Sequence, residues 1–312
     1  MVVRGTSGAA SRISRVASAR IAGVLIVSVG LLATAACSTS DASGPPSTVT
    51  KTVTAATSAA AASAPSGAAA RPDAGTLARS FDRAIGTSMP GAGLAIVAVG
   101  RNGGTPVVVG NRTTQVAWST IKVPLAIAAQ RANGQSAAAT AAIVNSDNDA
   151  ATTLWNSLGS PTEAAAAVTG VLREGGDSTT QVPSRQLRPP FTIFGQTPWP
   201  LPQAAEFAAH LPCMAGTEQV LSLMGRVAGN QQWGAEIMSQ AKSTAVKGGW
   251  GPGVGGGYLV RQVGVITFRD GRQAGVAMSS VGGSMSDGIA TLNAMANWLN
   301  RNIAALPRGA CR

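Results

Sequence analysis

The stretch that decides the fold is residues 117–151, which read AWSTIKVPLAIAAQRANGQSAAATAAIVNSDNDAA. It contains an S-x-x-K, from Ser119 to Lys122, and an S-D-N, from Ser146 to Asn148. The first motif opens an apolar helical run, so its serine and lysine lie on one face of a helix. An amine kept partly neutral by burial or by a neighbouring cation can take the serine proton, and the helix N-terminus can stabilise the resulting oxyanion. The stretch therefore predicts a serine nucleophile beside a lysine base.

The S-x-x-K spacing alone is weak evidence, because the same spacing occurs from Ser239 to Lys242. The order of the motifs separates the two. Ser119 precedes the S-D-N, which precedes a K-G-G at 247–249, whereas Ser239 follows the S-D-N. Enzymes of the S-x-x-K type carry a K-T-G as their third motif. The order therefore favours Ser119.

In these three motifs the chain resembles the penicillin-recognising serine enzymes, meaning class A serine β-lactamases and the related D,D-peptidases. The likeness covers most of the chain from residue 75 to residue 305. Around the S-D-N the matching residues are Ile143 to Ala151, Leu154, Leu158-Gly159, Pro161, Glu163 and Gly175-Gly176-Asp177. The resemblance implies an α/β (α+β) fold: an antiparallel five-stranded sheet, flanked by N- and C-terminal helices, with an inserted and shortened all-helical lobe.

The resemblance also implies a role for each matching side chain of the helical lobe. Ser119 would be the nucleophile and Lys122 its base. Ser146 would relay a proton toward the leaving group, and Asn148 would hold Lys122 and a substrate amide. The alternatives are structural: Ser119 would be only an N-cap, and the S-D-N only a turn.

On the strand side, the resemblance implies that Lys247 faces Ser146 across the cleft and attracts a substrate carboxylate. The backbone N–H groups of Ser119 and Trp250 would form the oxyanion hole. The alternative for Lys247 is a solvated charge on an edge strand.

Three departures separate the chain from the class A pattern. Ser119 and Ser146 are 27 residues apart, roughly half the class A spacing, so the cleft wall should be lower and more open. Gly248 lacks the hydroxyl that usually binds the substrate carboxylate. Between Asp177 and Pro198, where class A enzymes place the E-x-x-L-N that activates water, there is no acidic residue. An acyl-enzyme is therefore expected to have no fast hydrolytic exit.

Two function hypotheses remain. The first is a serine acyl-transfer enzyme, D,D-peptidase-like or esterase-like, with little β-lactamase turnover. The second is a catalytically silent lipoprotein that binds a cell-envelope ligand. The first two motifs favour the enzyme and the K-G-G favours the binding protein. In either case the expected ligand is a small peptidoglycan-derived or β-lactam-like molecule.

Histidine and cysteine usage excludes other chemistries. His210 is the only histidine, and its place near the end of an alanine-rich helix predicts a C-terminal cap rather than a Ser-His-Asp triad. No zinc site or cofactor is expected. Cys213 and Cys311 are the only cysteines of the exported body, and such a pair outside the cytoplasm is expected to form a disulfide. Two free buried thiols are the alternative.

Residues 1–36 have the features of a signal peptide. Four arginines without an acid precede an apolar run that begins at Ile21 and is short for a membrane span of ~20 residues. The run ends in L-A-T-A-A-C at 32–37, which resembles a lipobox, so lipidation of Cys37 is expected. The alternative is an A-x-A cleavage at 33–35, which would release the protein.

Residues 37–72 are Ser, Thr, Ala, Pro and Gly with almost no large apolar side chains, which predicts a tether with a span of roughly 30 Å. Residues 73–312 form the β-lactamase-like domain. Removing the four signal arginines takes the formal net charge from +11 to +7, and no basic patch with interleaved aromatics is visible, so no nucleic-acid partner is expected. We expect an extracytoplasmic protein held at the cell membrane by its lipid anchor.

Periodicity and turn signals predict the remaining elements. Glu163 completes a capping box with Ser160 and is predicted to be structural rather than catalytic. The predicted strands and helices are a helix over 77–88, strands over 94–99 and 107–109 joined through 102–104, a helix over 221–240, strands over 245–250, 258–268 and 273–281, and a helix over 286–304.

Overall fold

The computed structural model describes residues 73–100 and 104–311. The expected signal peptide, Cys37 and the tether of residues 37–72 lie outside the described residues, as do two residues of the predicted turn at 102–104. Within the described part of the chain, no helix combines the length and the apolar character needed to cross a membrane.

The described residues form eight α-helices and seven strands. The helices are α1 (Ala74–Phe81), α2 (Lys122–Asn133), α3 (Ala137–Thr140), α4 (Asn148–Asn156), α5 (Pro161–Glu174), α6 (Leu201–His210), α7 (Glu218–Met224) and α8 (Met285–Arg301). The strands are β1 (Ala92–Ala98), β2 (Val107–Gly110), β3 (Gln115–Val116), β4 (Pro198–Trp199), β5 (Ser243–Pro252), β6 (Tyr258–Thr267) and β7 (Gln273–Gly282).

Five strands form one sheet in the order β2-β1-β7-β6-β5, and every neighbouring pair is antiparallel. Because β1 pairs with β7, strands from the two ends of the domain join, and the segments between β2 and β5 form an insertion. The predicted fold class is confirmed. β5 lies at the edge of the sheet, so half of its backbone groups are free to face other partners.

Both faces of the sheet are buried. Along β1, Leu94 and Ile96 pack into a core with α1 and α8, whereas Ala95 and Val97 pack into a second core with the inserted helices. This alternation follows from the two-residue period of a strand. The sheet therefore holds the helical lobe on one face and the terminal helices on the other.

The insertion between Ser119 and Ser146 is short. It consists of α2, the single turn α3 and a π-helical turn, Ala141–Asn145. Residues 122–129 of α2 are all buried, so this helix is the centre of the lobe. Its burial on every side holds the segment before it, which carries Ser119, in a fixed place.

The predicted helix over 221–240 is wrong. α7 ends at Met224, and the chain continues through two 3₁₀ turns, Gly229–Gln231 and Gly234–Ile237. Gly234 has φ +64°, a conformation that continues no α-helix and that glycine adopts readily. The apolar residues of this segment lie on two separate short turns. Their combined spacing in the sequence matches the period of a helix, which explains the wrong prediction.

Two predicted helix caps are confirmed. The Ser160 hydroxyl accepts from the Glu163 N–H at 3.3 Å, and the Glu163 carboxylate accepts from the Ser160 N–H at 2.7 Å. His210 is the last residue of α6, and its Nδ1 lies 2.9 Å from the carbonyl oxygen of Glu206, one turn earlier. Both residues therefore have local structural roles.

The predicted disulfide is confirmed. Cys213 and Cys311 are bonded, with their Cα atoms 5.3 Å apart and a sequence separation of 98. The bond ties the end of the chain to the segment that follows α6, on the helical side of the sheet.

Candidate active site

Ser119 lies in a strained turn. It is the second residue of a 3₁₀ turn, Trp118–Ile121, directly before α2. Trp118 has φ +46° and Ser146 has φ +59°, and among the described residues no other non-glycine residue has a positive φ. Such conformations cost on the order of 1–3 kcal/mol and persist only where the surrounding structure holds them. The two strained positions adjoin the same polar cluster.

Strand β5 runs directly against the Ser119 turn. A Cβ on Gly249 would lie 2.9 Å from the Ser119 nitrogen and 3.0 Å from the Ala117 carbonyl oxygen. These distances are too short for a carbon atom, so only glycine allows this approach. The second glycine of the K-G-G therefore places the Ser119 N–H beside the sheet edge.

Lys122 is buried behind Ser119, with 1% of its surface exposed. Its Nζ donates to the carbonyl oxygens of Ser146 (2.7 Å) and Asp147 (3.1 Å) and to Asn148 Oδ1 (2.7 Å). In the described structure Ser119 is not among its hydrogen-bond partners. Burial lowers the pKa of Lys122 to about 8, against the opposing effect of the Asp147 charge.

The S-D-N forms a turn and also faces the site. Ser146 ends the π-helical turn in the left-handed conformation, and Asp147 caps α4 by accepting from the Ala150 N–H at 2.8 Å. The Asp147 carboxylate is thereby occupied, while Ser146 and Asn148 line the cavity. The turn explains why the two polar side chains point the same way.

Lys247 approaches Ser146 from strand β5. It is fully buried, and its Nζ lies 2.8 Å from the Ser146 hydroxyl, 2.9 Å from the Gly248 carbonyl oxygen and within hydrogen-bond distance of Gln231 Oε1. Burial, and secondarily the nearby charge of Lys122, lower the pKa of Lys247 well below its ordinary value. Two buried lysines thus meet at Ser146.

Gln231 is a site residue that the sequence interpretation missed. It is fully buried, and its Oε1 accepts from Lys247 Nζ and from the Gly248 N–H at 3.0 Å. Its Nε2 donates to the carbonyl oxygens of Ile143 (3.1 Å) and Val144 (2.9 Å). Gln231 is a single amide in a segment that was predicted to be helical, and no sequence motif marks it as a site residue.

Trp233 occupies the place where a side chain at position 248 would lie. A Cβ on Gly248 would be 2.7 Å from the Trp233 ring, and that ring is 4% exposed. Its indole N–H donates to the Asn230 carbonyl oxygen at 2.9 Å, which fixes its orientation. Gly248 therefore lacks a hydroxyl and also has no room for one while Trp233 is in place. The sequence interpretation did not single out Trp233.

The backbone N–H of Trp250 is directed away from β6. Gly248, two residues earlier, donates its N–H to Gln231 and not to β6. In an antiparallel ladder with a regular register, alternate residues direct their N–H groups to the same side, and the register from Ser243 to Pro252 is regular. The Trp250 N–H therefore faces the open edge, as an oxyanion donor would.

These groups border a cavity of about 340 Å³. Its lining residues are Trp118, Ser119, Lys122, Ser146, Asn148, Pro190, Phe191, Thr192, Phe194, Gly195, Trp250, Gly251, Pro252 and Tyr258. Within the described part of the chain, this lining includes no Asp or Glu, and no group of His, Cys, Asp or Glu could hold a metal ion. Ser119, Lys122, Ser146 and Asn148 contribute polar side chains to the lining, and aromatic rings and prolines form most of the rest.

The aromatic wall belongs to the segment between Asp177 and Pro198. The Phe191 ring meets Trp118 edge to face with centroids 4.8 Å apart, and the Arg188 guanidinium lies 5.2 Å from the Phe191 centroid. Arg188 also contacts the Pro252 carbonyl oxygen at 3.4 Å, which links the wall to the end of β5. An aromatic ring thus lies in the segment where the class A pattern has a glutamate.

No family model matches the chain, and no curated protein sequence matches it. Among solved structures, a β-lactamase from Sphaerobacter thermophilus is similar at 17% identity and a TM-score of 0.56, over 76% of this chain and 100% of that one. A β-lactamase from Chitinophaga pinensis is similar at 14% identity and 0.58, over 73% and 99%. The protein PBP-A is similar at 18% and 0.56, over 74% and 97%.

These likenesses span nearly the whole length of each neighbour. The domain therefore has the fold of β-lactamases and of PBP-A. At identities below a fifth, the comparison establishes the fold and leaves the chemistry to the residues of the site.

Proposed function

We propose that this chain is a serine acyl-transfer enzyme, D,D-peptidase-like or esterase-like, with little β-lactamase turnover. The observation that carries the proposal is that Ser119, Lys122, Ser146 and Asn148 all line one cavity, with Lys247 bonded to Ser146. Buried amines of lowered pKa and strained backbone beside a hydroxyl in a cleft are typical of catalytic sites.

In this reaction the Ser119 hydroxyl attacks an ester or amide carbonyl while a neutral lysine amine takes its proton. The N–H groups of Ser119 and Trp250 stabilise the oxyanion. Lys122 is the base that the resemblance implies. Lys247, acting through Ser146, is the second amine that serves this cavity.

The second half of the reaction is slow in this proposal. Hydrolysis of the acyl-enzyme needs a water held by a general base. The cavity lining includes no carboxylate within the described residues, and the segment from Asp177 to Pro198 contributes aromatic side chains. The acyl group therefore remains on Ser119 or passes to an acceptor other than water.

The cavity favours acyl donors with an apolar acyl group. Rings of Trp118, Phe191, Phe194 and Tyr258 border it, and apolar pockets with a few placed polar groups are typical of small-ligand sites. Peptidoglycan-derived or β-lactam-like compounds remain the envelope ligands of the proposal. We expect the carboxylate of such a ligand to be bound weakly, because Gly248 has no hydroxyl and the Trp233 ring occupies the space beside it.

Intact-mass measurement tests the proposal. After incubation with a reactive penicillin or a p-nitrophenyl ester, we expect a single acyl adduct that peptide mapping places on Ser119. Ser119→Ala should abolish it, whereas Ser239→Ala, the serine of the second S-x-x-K, should retain it. If neither reagent labels Ser119, the enzyme proposal fails.

A ligand-binding protein is the second candidate, and one observation favours it. Lys122 Nζ donates its three hydrogen bonds to Ser146, Asp147 and Asn148, and it donates none to Ser119. An unlabelled Ser119, together with calorimetric binding of a peptidoglycan stem peptide that persists in Ser119→Ala, would support this candidate.

The proposed location is outside the cytoplasm, with a lipid on Cys37 holding the domain at the membrane. The L-A-T-A-A-C at 32–37 supports it. In a native host we expect the protein to partition into the detergent phase and Cys37→Ala to move it to the aqueous phase. Unchanged partitioning of Cys37→Ala would contradict the lipid anchor.

A further inference from the structure

The two buried lysines differ in the kind of partners they have. Lys122 Nζ meets three groups that can only accept: the carbonyl oxygens of Ser146 and Asp147, and Asn148 Oδ1. An ammonium group has three hydrogens to donate, whereas a neutral amine has two and a lone pair. A neutral Lys122 would direct its lone pair at an acceptor. The contacts therefore fit a charged Lys122.

Lys247 has a different set of partners. Gln231 Oε1 and the Gly248 carbonyl oxygen accept, but the Ser146 hydroxyl can either accept or donate. A neutral amine fits this set completely, because it donates twice and accepts the Ser146 proton with its lone pair. The hydrogen-bond inventory therefore requires a charged Lys122 and is compatible with a neutral Lys247.

Electrostatics gives the same assignment. The charge of Asp147 favours the protonated form of Lys122, whereas the charge of Lys122 disfavours protonation of Lys247. Among the described residues, no carboxylate accepts a hydrogen bond from either amine. Two adjacent buried ammonium groups without a hydrogen-bonded anion are costly, so a single proton resides on Lys122.

Gln231 holds this arrangement in place. One end of its amide accepts from Lys247 and from the Gly248 N–H on the edge strand, and the other end donates to the backbone of Ile143 and Val144, directly ahead of the Ser146 turn. It is fully buried. It thus joins the strand that carries the amine to the turn that carries the hydroxyl, without adding charge.

We propose that Gln231 is a positioning residue that holds Lys247 as a neutral amine on the Ser146 hydroxyl, so that Lys247, acting through Ser146, is the base for Ser119. The inference rests on the proposed acyl-transfer function and assigns its base. As the Ser119 oxygen bonds to the acyl carbon, its proton passes to the Ser146 oxygen and the Ser146 proton passes to Lys247. As the acyl–oxygen bond of the donor breaks, Lys247 returns a proton to Ser146, which protonates the leaving alcohol.

This assignment removes Lys247 from carboxylate recognition. Its amine is fully buried and every position around it is used by Ser146, Gln231 and Gly248. A substrate carboxylate has no free N–H of Lys247 to meet. Uncharged acyl esters are therefore expected to acylate Ser119 at least as readily as esters that carry a carboxylate.

The chain has four lysines, so NMR of the full-length protein with labelled lysine side chains can follow each amine. We expect Lys122 to be protonated at pH 7 with a midpoint near 8, and Lys247 to be neutral, with assignments from Lys122→Met and Lys247→Met. Gln231→Glu puts a carboxylate at the same place and should raise the Lys247 midpoint by about one pH unit or more.

Kinetics supplies a readout that a purely structural role would not change. In the pH–rate profile of Ser119 acylation by a p-nitrophenyl ester, the low-pH limb should move to higher pH in Gln231→Glu. The shift should equal the increase in the Lys247 midpoint. Gln262→Glu is the matched control, because Gln262 is also buried, lies opposite Gly248 on β6 and bonds Trp233 and Ala235 instead of a lysine. The low-pH limb of the Gln262→Glu profile should stay at the same pH as in the parent protein.

The outcomes are distinguishable. A charged Lys247 beside a neutral Lys122 at pH 7, or a Lys247 midpoint that Gln231→Glu leaves unchanged, overturns the assignment. If Gln231→Glu does not fold, Gln231→Met serves: it should slow acylation at least tenfold, and a rate equal to that of Gln262→Met would contradict the proposal. If no ester labels Ser119, the acyl-transfer function fails, and the lysine titrations still decide the protonation assignment.

Discussion

The two walls of the cleft are built differently. The helical wall, formed by Ser119, Lys122, Ser146 and Asn148, presents side chains. Lys122 bonds to Asn148 and to the backbone of the Ser146 turn, and the Ser146 hydroxyl bonds to Lys247. The strand wall, residues 247–251, presents mostly backbone: glycine lies at three of its five positions, and the amine of Lys247 is turned inward to Ser146. Under the proposed acyl-transfer function, the helical wall supplies the groups that form an acyl bond, whereas the strand wall lacks, at Gly248, the hydroxyl that would hold a carboxylate.

This difference has a physical cause in the packing of β5. Gly249 permits contact with the Ser119 turn, and Gly248 permits contact with the Trp233 ring. Each glycine replaces a side chain with a close approach of another element. The glycines of the strand wall therefore contribute position and N–H donors, and Lys247 is the strand-wall side chain that takes part in the proposed reaction.

The largest expected effect concerns turnover. A chromogenic ester or cephalosporin should give at most one equivalent of product per protein, followed by very slow release, because general-base assistance is typically worth about 10²- to 10⁴-fold and the cavity lining supplies no carboxylate. Thr192→Glu would add a carboxylate to the aromatic wall of the cavity and should raise the rate of steady-state hydrolysis, whereas Thr192→Gln should not. Fast turnover by the parent protein would show that water is activated by another group.

The next effect is the pH dependence that Lys122 gives to stability. Its pKa is about 8 in the folded protein, against the ordinary lysine value of 10.5 that applies to the unfolded chain, so between these values the unfolded chain binds more protons. The free energy of unfolding should therefore rise with pH across this window, by up to roughly 3 kcal/mol. Denaturant titrations at pH 7.5 and pH 10 should show this rise in the parent and in Lys242→Met, and a smaller one in Lys122→Met. An equal rise in Lys122→Met would contradict it.

The sequence was sufficient to predict the sheet and to select the motif residues that the structure brings together at the cavity. Alternating apolar runs predicted β5, β6 and β7 to within a few residues, and motif order selected Ser119 over Ser239. The resemblance implied the contact of Lys122 with Asn148, but its contacts with the carbonyl oxygens of Ser146 and Asp147 were not predictable. They depend on the left-handed turn at Ser146, 24 residues later in the chain.

Residues without a motif were missed for a related reason. The spacing of apolar residues over 221–240 fits a helix, in which Gln231 would be an ordinary surface residue. The glycines break that helix into turns, and the same break turns Gln231 and Trp233 toward β5. Their role arises from tertiary packing, which local periodicity does not contain.

A smaller effect is expected from rebuilding the strand wall. Gly248→Thr alone should destabilise the protein, because its Cβ would lie 2.7 Å from the Trp233 ring. Combined with Trp233→Ala, it gains room for a hydroxyl, and one hydrogen bond to a carboxylate is worth about 1.5–3 kcal/mol. Penicillin acylation should then become roughly ten- to a hundredfold faster relative to an uncharged ester. No gain over Trp233→Ala alone would show that the hydroxyl is not the missing group.

The smallest effect is expected at Glu163, an acidic residue of the helical lobe that the class A likeness includes. Its carboxylate accepts from the Ser160 N–H, and it is not among the residues that line the cavity. Hydrogen bonding with the Ser160 side chain, and secondarily with its backbone N–H, lowers the pKa of Glu163. The stability that this contributes is therefore present at neutral pH and is lost as the pH falls through the lowered pKa. Glu163→Gln keeps the shape of the cap and should leave both the acylation rate and the slow deacylation unchanged, with only a slight fall in Tm. Faster decay of the adduct in the parent than in Glu163→Gln would make Glu163 the missing base, and would place the water-activating group on the helical wall.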